Sequence, residues 1–182
     1  MAQALLGGMT MAALDELLAA NRRYSAGFDR TGDGAKPAPP ARHVAVLTCM
    51  DARLHPEEFL QLAVGDAHVI RNAGGRASDD AVRSLVISSQ LLGTNAFIVI
   101  HHTDCGMLSF SNDDLRGKLR DTLGADASAI DFLPFSDLEQ SVRDDVRSLL
   151  ASPLIAPGIT VSGFIYDVRS GELREVVAPA QR

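Results

Sequence analysis

Short apolar runs alternate with amphipathic stretches along this chain from residue 43 onward. The apolar run from Ala96 to Ile100 is continuous, which is typical of a strand buried on both faces of a parallel sheet. Between the apolar runs, hydrophobic positions recur at the spacing of a helix face. Three strands are predicted, with the sequences HVAVLTC (43–49), AHVIRNAGG (67–75) and NAFIVIHH (95–102). This alternation predicts an α/β fold, a mostly parallel central sheet flanked by helices.

Four helical stretches are predicted between and after these strands. Ser78 is expected to cap one of them and Gly93 to end it, because serine accepts from free N–H groups and glycine adopts the left-handed turn. For the last helix, we expect a capping box formed by Ser136 and Glu139. The stretches are PEEFLQLA (56–63), SDDAVRSLVISSQLLG (78–93), DDLRGKLRDTLG (113–124) and SDLEQSVRDDVRSLLASP (136–153).

The two ends of the chain add an arm and a hairpin to this core. The tail TVSGFIYDVRSGELREVV contains two strand patterns joined by RSGE, which indicates an antiparallel hairpin. At the other end, Thr10 is expected to start a helix over residues 10–25 whose apolar stripe includes Leu14 and Leu17. A Gly- and Pro-rich connecting loop follows at 26–42. We expect residues 1–182 to form one domain, with an N-terminal helical arm and an α/β core at 43–182.

The composition narrows the possible partners. The 182 residues carry a net charge of −6, with 5% aromatic residues and no tryptophan. Nucleic-acid binding normally needs a basic face and stacking platforms, so a small-molecule substrate fits better. No apolar run approaches the roughly 20 residues that span a bilayer, and the N-terminus lacks the basic start of a signal peptide. We therefore expect a cytoplasmic protein without a membrane or nucleic-acid partner.

Chemically reactive residues collect where the predicted strands end. The segments TCMDAR, RNAGG and HHTDCGM contain both cysteines of the chain, Cys49 and Cys105. If the first and third strands are neighbours, these thiols converge with His102 in a ligand set that suits zinc. Taken singly, each residue has a simpler interpretation, such as a buried thiol, a capped histidine or a plain salt bridge. Packing alone does not require their joint placement at strand ends.

Together, these motifs resemble the beta-class carbonic anhydrases. Cys49-Met-Asp51-Ala-Arg53, followed about fifty residues later by His102-Thr-Asp-Cys105, matches both parts of the family pattern, with RNAGG between them. The resemblance runs from about Val44 to Met107 and is nearest to the smaller branch that carries HHTDCGM. Plant-like members have a glutamine where this chain has Ala63, so the substrate pocket differs from theirs.

The resemblance implies a zinc enzyme that reversibly hydrates carbon dioxide to bicarbonate and a proton. It implies Zn²⁺ held by Cys49, His102 and Cys105, with Asp51 and Arg53 as a catalytic dyad. The Gly74 backbone is a candidate for the substrate pocket. It further implies a homodimer or a higher homo-oligomer in which the N-terminal helix embraces the partner and the active site lies at the interface.

Charge predicts how the dyad works. If Asp51 binds the zinc as a fourth ligand, the site is closed; if Asp51 turns to Arg53, water can bind and lose a proton, because zinc lowers its pKa to about 7. The resulting zinc-bound hydroxide attacks carbon dioxide. We expect Asp51 on the metal at low pH and released from it at higher pH. His55 and His101 are expected to be structural, and no proton shuttle is assigned.

Other functions remain open on the same residues. A carbonyl sulfide or carbon disulfide hydrolase would use the same scaffold on a similar linear substrate. A non-catalytic zinc-binding regulator would need four permanent ligands, whereas Arg53 gives Asp51 another partner. A thiol redox protein is disfavoured because the chain lacks a CxxC motif.

Overall fold

The computed structural model describes residues 2–182, with side chains from residue 11 onward. The chain forms two compact units, Met1–Lys36 and Pro37–Arg182, and the single domain expected over 1–182 stays a prediction. Helix α1 (Ala2–Ala26) makes up most of the first unit. It begins at Ala2, so the predicted start at Thr10 is wrong. The segment before Thr10 has no proline to stop a helix, and the helix extends through it despite Gly7 and Gly8.

The second unit contains a five-stranded sheet in the order β2-β1-β3-β4-β5. The pairs β1–β2, β1–β3 and β3–β4 are parallel, and β4–β5 is antiparallel. The predicted fold class is therefore confirmed, including the C-terminal hairpin. The strands are β1 (Val44–Cys49), β2 (Ala67–Asn72), β3 (Ala96–His102), β4 (Thr160–Tyr166) and β5 (Leu173–Gln181).

Four helices accompany the sheet: α2 (Pro56–Phe59), α3 (Asp79–Leu92), α4 (Asn112–Leu123) and α5 (Leu138–Ala151). Ser78 caps α3 and Gly93 ends it in the left-handed conformation, as the sequence predicts. The capping box predicted at Ser136 is wrong. Asp137 caps α5 instead, and its carboxylate accepts from the Gln140 N–H at 2.9 Å. Aspartate caps a helix about as well as serine, so the neighbouring residue decided where α5 begins.

The core lies where α3 and α5 cover the central strands. Strands β1 and β3 are buried along most of their length, as expected for apolar runs in the middle of a parallel sheet. Leu85 of α3 packs in this core, as do Val142, Val146 and Leu149 of α5. A second, smaller apolar cluster lies at the carboxyl ends of β1 and β3, around Cys49 and Cys105. Within residues 2–182, no helix has the length and apolar content to cross a membrane.

The turn after β2 lies unusually close to the strands beside it. Gly75 in this turn has φ +69°, and a Cβ there would lie 2.9 Å from the Thr48 carbonyl carbon and 3.1 Å from the Ile100 carbonyl oxygen. Both neighbours are backbone atoms of paired strands, which cannot move aside cheaply. Gly75 therefore allows the turn to sit directly against the ends of β1 and β3.

We expect Gly75→Ala to lower the free energy of unfolding by about 3 kcal/mol or more, because left-handed strain and a backbone clash add. Gly124→Ala is the matched control. Gly124 is also left-handed, at φ +65°, but nothing lies within 4 Å of its Cβ position, so only the strain, about 1 kcal/mol, is expected. Urea denaturation measures both variants. An equal decrease in the free energy of unfolding of both variants would show that the close approach at Gly75 does not affect stability.

Candidate metal centre

The reactive residues meet at one edge of the sheet. Cys49 is the last residue of β1 and His102 the last of β3, and these strands pair directly and in parallel. Cys105 follows His102 by three residues. Because the carboxyl ends of neighbouring parallel strands meet at the same edge, strand pairing alone brings the two sequence motifs together.

Three side chains form a possible metal site. The ligand atoms of Cys49, His102 and Cys105 all lie within 4.8 Å of one another, and all three residues are buried. His102 Nδ1 lies 2.8 Å from the Thr103 carbonyl oxygen. Since a carbonyl oxygen only accepts, Nδ1 carries the proton and Nε2 keeps a lone pair. Among the described residues, Nε2 is buried without a hydrogen-bond partner, a state that a bound metal ion would explain.

The two thiols already interact as a pair. Both cysteines are free. A hydrogen bond from the Cys105 thiol lowers the pKa of Cys49 to about 4, and the same interaction raises the pKa of Cys105. A dication bound by both sulfurs would need both of them deprotonated, so its binding would release protons. Two sulfurs and one imidazole form a ligand set that suits zinc and disfavours magnesium and calcium.

A carboxylate stands beside these ligands but is held by an arginine. Asp51 Oδ1 accepts from Arg53 Nε at 2.9 Å, and Oδ2 accepts from Arg53 Nη2 at 2.7 Å. These hydrogen bonds hold the pKa of Asp51 well below its usual range. Asp51 Oδ2 lies 3.8 Å from His102 Nε2. The carboxylate is thus next to the metal ligands yet directed toward the guanidinium.

Arg53 is itself anchored on the opposite motif. Its Nη2 also donates to the Asp104 carbonyl oxygen at 3.1 Å. Asp104, between His102 and Cys105, has φ +55°, a left-handed conformation that is uncommon outside glycine. Its carboxylate lies 3.3 Å from Arg169 Nη2. Arg53 therefore ties the turn after β1 to the turn after β3.

Arg71 is a functional residue that the sequence reading missed. Its Nε donates to the Cys49 carbonyl oxygen at 3.0 Å, and its Nη2 donates to the Asp51 carbonyl oxygen at 2.7 Å. These bonds hold the backbone that carries both side chains. Arg71 stands near the end of β2, in the segment RNAGG, and nothing around it in the sequence indicates these contacts. Hydrogen bonds to backbone across 20 or more residues leave no pattern in a sequence.

Gly74 lies against the metal ligands. Its N–H donates to Cys49 Sγ at 3.3 Å, and a Cβ at this position would lie 2.9 Å from Met107 Cγ. The backbone of Gly74 thus contacts a ligand sulfur, and its predicted contact with a substrate stays a prediction. Of the two histidines expected to be structural, His55 is exposed at the start of α2. His101 is fully buried and lies within hydrogen-bonding distance of Ser141 and Asp145.

An apolar cluster surrounds the two cysteines. Leu54 and Met107 are buried with them. The rings of Phe59 and Tyr166 stack beside this cluster, with centroids 4.3 Å apart. Further partly buried members are Phe110, Phe135 and Val168. Electrostatic interactions are stronger in such surroundings than in water, because the local dielectric constant is lower.

Comparisons with known proteins agree with this geometry. A family model described as "Carbonic anhydrase" matches residues 44–173. "Beta-carbonic anhydrase 1" of Mycobacterium tuberculosis is 41% identical over 168 residues, which cover 91% of this chain and 99% of that protein. "Carbon disulfide hydrolase" of Saccharolobus solfataricus is 37% identical over 170 residues, covering 81% of this chain and 82% of that protein.

Solved structures show the same similarity. A carbonic anhydrase from Streptococcus mutans superposes with a TM-score of 0.83 at 49% identity, covering 90% of this chain and 96% of the other. A carbonic anhydrase from Glaciozyma antarctica gives a TM-score of 0.79 at 45% identity, with 87% and 95% coverage. The matched residues of the family model include both cysteines and His102.

The purified chain is expected to bind one zinc ion, and His102→Ala is expected to lower zinc affinity by about 100-fold or more, because one of three ligands is lost. His55→Ala is the matched control, since His55 is exposed and outside the ligand set. Zinc content per chain after dialysis against a weak chelator measures the effect. Equal zinc retention by both variants would exclude His102 as a ligand.

Proposed function

The chain belongs to the carbonic anhydrase family, in its beta class, and on that premise we propose that it catalyses the reversible hydration of carbon dioxide to bicarbonate and a proton. One observation carries the proposal: the buried Nε2 of His102, which has no hydrogen-bond partner among the residues that the structure describes, lies beside two thiols and a carboxylate that an arginine holds aside. A purely structural site would have no use for a carboxylate kept available in this way.

Cys49, His102 and Cys105 are proposed to hold the zinc ion. Two thiolates and a neutral imidazole balance the charge of zinc(II), so the three ligands leave a fourth position open without excess charge. A zinc ion bound there would supply Lewis acidity, which makes water a usable nucleophile near neutral pH. Arg71 and Gly74 support this ligand set by bonding the Cys49 carbonyl oxygen and sulfur.

Asp51 and Arg53 are proposed as the catalytic dyad. Arg53 holds the Asp51 carboxylate through two hydrogen bonds, which keeps it ionised and away from the fourth position. In that position the carboxylate can accept a hydrogen bond from the attacking water and direct its lone pair to the substrate carbon. Because the pKa of Asp51 lies well below its usual range, protonation of this carboxylate does not control whether the fourth position is free near neutral pH. The expected exchange of the fourth ligand with pH stays a prediction.

A homo-oligomer is proposed on the surface of α1. Five of its large hydrophobic side chains are between 47% and 69% exposed within this chain. Contact of such a row of side chains with water is unfavourable, which indicates an interaction surface. A second copy of the chain would cover these side chains and form the homo-oligomer that the family resemblance implies. The side chains are Met11, Leu14, Leu17, Leu18 and Tyr24.

A second candidate activity is the hydrolysis of carbon disulfide or carbonyl sulfide. The observation in its favour is the 37% identity to a carbon disulfide hydrolase over 81% of this chain. Both activities would use the same ligands and the same dyad on a linear molecule with an electrophilic carbon. The third possibility, a zinc-binding regulator without catalysis, would require the site to be closed permanently.

One preparation tests all three functions. We expect the zinc-loaded chain to hydrate carbon dioxide, to lose this activity when zinc is chelated, and to regain it when zinc is restored. Carbonyl sulfide and carbon disulfide are assayed in parallel on the same sample. A faster turnover of either sulfur compound would favour the hydrolase, and a zinc-loaded chain inactive on all three substrates would favour the regulator.

Arg53→Ala is expected to keep zinc and to lower carbon dioxide hydration by about 100-fold or more, because the freed Asp51 carboxylate no longer has a fixed orientation. Arg42→Ala is the matched control. Arg42 and Asp66 form a pair at 3.0 Å whose side chains are 54% and 19% exposed, against 50% and 19% for Arg53 and Asp51. Initial rates and zinc content decide the result. Full activity in Arg53→Ala would remove the dyad from the mechanism.

A further inference from the structure

Helix α5 places a buried carboxylate behind the candidate metal centre. Asp145 is 5% exposed and binds Arg76 through two contacts, Nε to Oδ2 at 2.8 Å and Nη2 to Oδ1 at 3.1 Å. The Arg76 guanidinium also donates to the Leu133 carbonyl oxygen at 2.9 Å. Arg76 and Asp145 are 69 positions apart in the sequence, and both side chains lie inside the protein.

Arg76 ends the turn that carries Gly74. Its backbone N–H donates to Asn72 Oδ1 at 2.8 Å, and Asn72 Nδ2 donates to the Arg76 carbonyl oxygen at 2.7 Å, so the turn is closed at both ends. The stem of the Arg76 side chain folds back over the turn. A Cβ on Gly74 would lie 3.2 Å from Arg76 Cγ. The position of the Arg76 side chain therefore constrains the position of Gly74.

Gly74 transmits this constraint to the metal ligands. Its N–H is 3.3 Å from Cys49 Sγ. A hydrogen bond to a ligand sulfur withdraws electron density from it and so changes the bond between sulfur and metal. In this turn Gly74 has the left-handed conformation, at φ +82°, and its amide points at the sulfur.

Asp145 also contacts the strand that carries the histidine ligand. His101 Nε2 lies 3.1 Å from Asp145 Oδ2, and His101 Nδ1 lies 2.7 Å from Ser141 Oγ. His101 directly precedes His102 in β3. One carboxylate on α5 thus holds both the turn after β2 and the end of β3.

We propose that Asp145 is a positioning residue for the metal centre, acting through Arg76 to hold the Gly74 N–H on Cys49 Sγ. The inference rests on the proposed zinc function. Stability alone is a weak reason for this arrangement, because a buried ion pair often stabilises a protein no more than apolar side chains of similar volume. Its two partners, by contrast, both adjoin the metal centre, since Arg76 lies against Gly74 and His101 directly precedes the ligand His102.

Cobalt(II) in place of zinc gives a readout that does not depend on activity. In Asp145→Asn, we expect the thiolate-to-cobalt charge-transfer band to move to longer wavelength, because Cys49 loses a hydrogen bond and becomes a stronger electron donor. Zinc affinity should fall by about 10-fold or more. Asp144→Asn is the matched control on the same helix. Asp144 pairs with Arg147 at the surface, where its side chain is 46% exposed, and its removal should leave the band and the affinity unchanged.

A double variant separates positioning from stability and also serves if Asp145→Asn does not fold. Arg76→Met with Asp145→Leu leaves no buried charge unpaired but removes the ion pair that fixes the side chain at position 76 against Gly74. We expect its band to shift as in Asp145→Asn. A wild-type band and affinity in the folded variants would overturn the positioning role and leave the proposed function intact. If the unaltered chain bound neither cobalt nor zinc, the proposed function would fail together with this inference.

Discussion

The parallel pairing of β1 with β3 is the constraint on which the candidate centre depends. Cys49 and His102 lie at the ends of these strands, and no other interaction needs to bring them together. The pairing aligns Thr48 with Ile100, so both strands end at the same level and their last side chains lie near one another. The strands are held in register by a buried apolar core, so the energy of that core also fixes the geometry of the site.

Three arginines hold the loops that follow the strands at the site. Arg53 links the turn after β1 to the turn after β3, Arg71 holds the backbone of the first motif, and Arg76 holds the turn after β2. Each uses a planar guanidinium with several donors, a geometry that lysine cannot reproduce. Two of them pair with aspartates, Asp51 and Asp145. The positive charges therefore hold the site in shape while their own charge is largely balanced.

Much of this could be predicted from the sequence, because the relevant signals are local. Apolar runs predicted the strands, and two short motifs predicted which side chains meet. Helix starts at Thr10 and Ser136 were wrong since several nearby residues can begin a helix and only the folded chain decides among them. The pairing of Arg76 with Asp145 was out of reach for another reason. Nothing in either local segment indicates a partner 69 residues away.

The apolar cluster beside the two cysteines has a consequence for the entry of substrate and the release of product. Leu54, Met107 and the stacked rings of Phe59 and Tyr166 make the surroundings of the cysteines apolar, and a neutral gas enters such surroundings more readily than an anion. Under the proposed reaction, the substrate is such a gas and the product is an anion. Partitioning would then run in opposite directions for the two molecules. The same apolar surroundings that favour the entry of carbon dioxide would favour the release of bicarbonate into water.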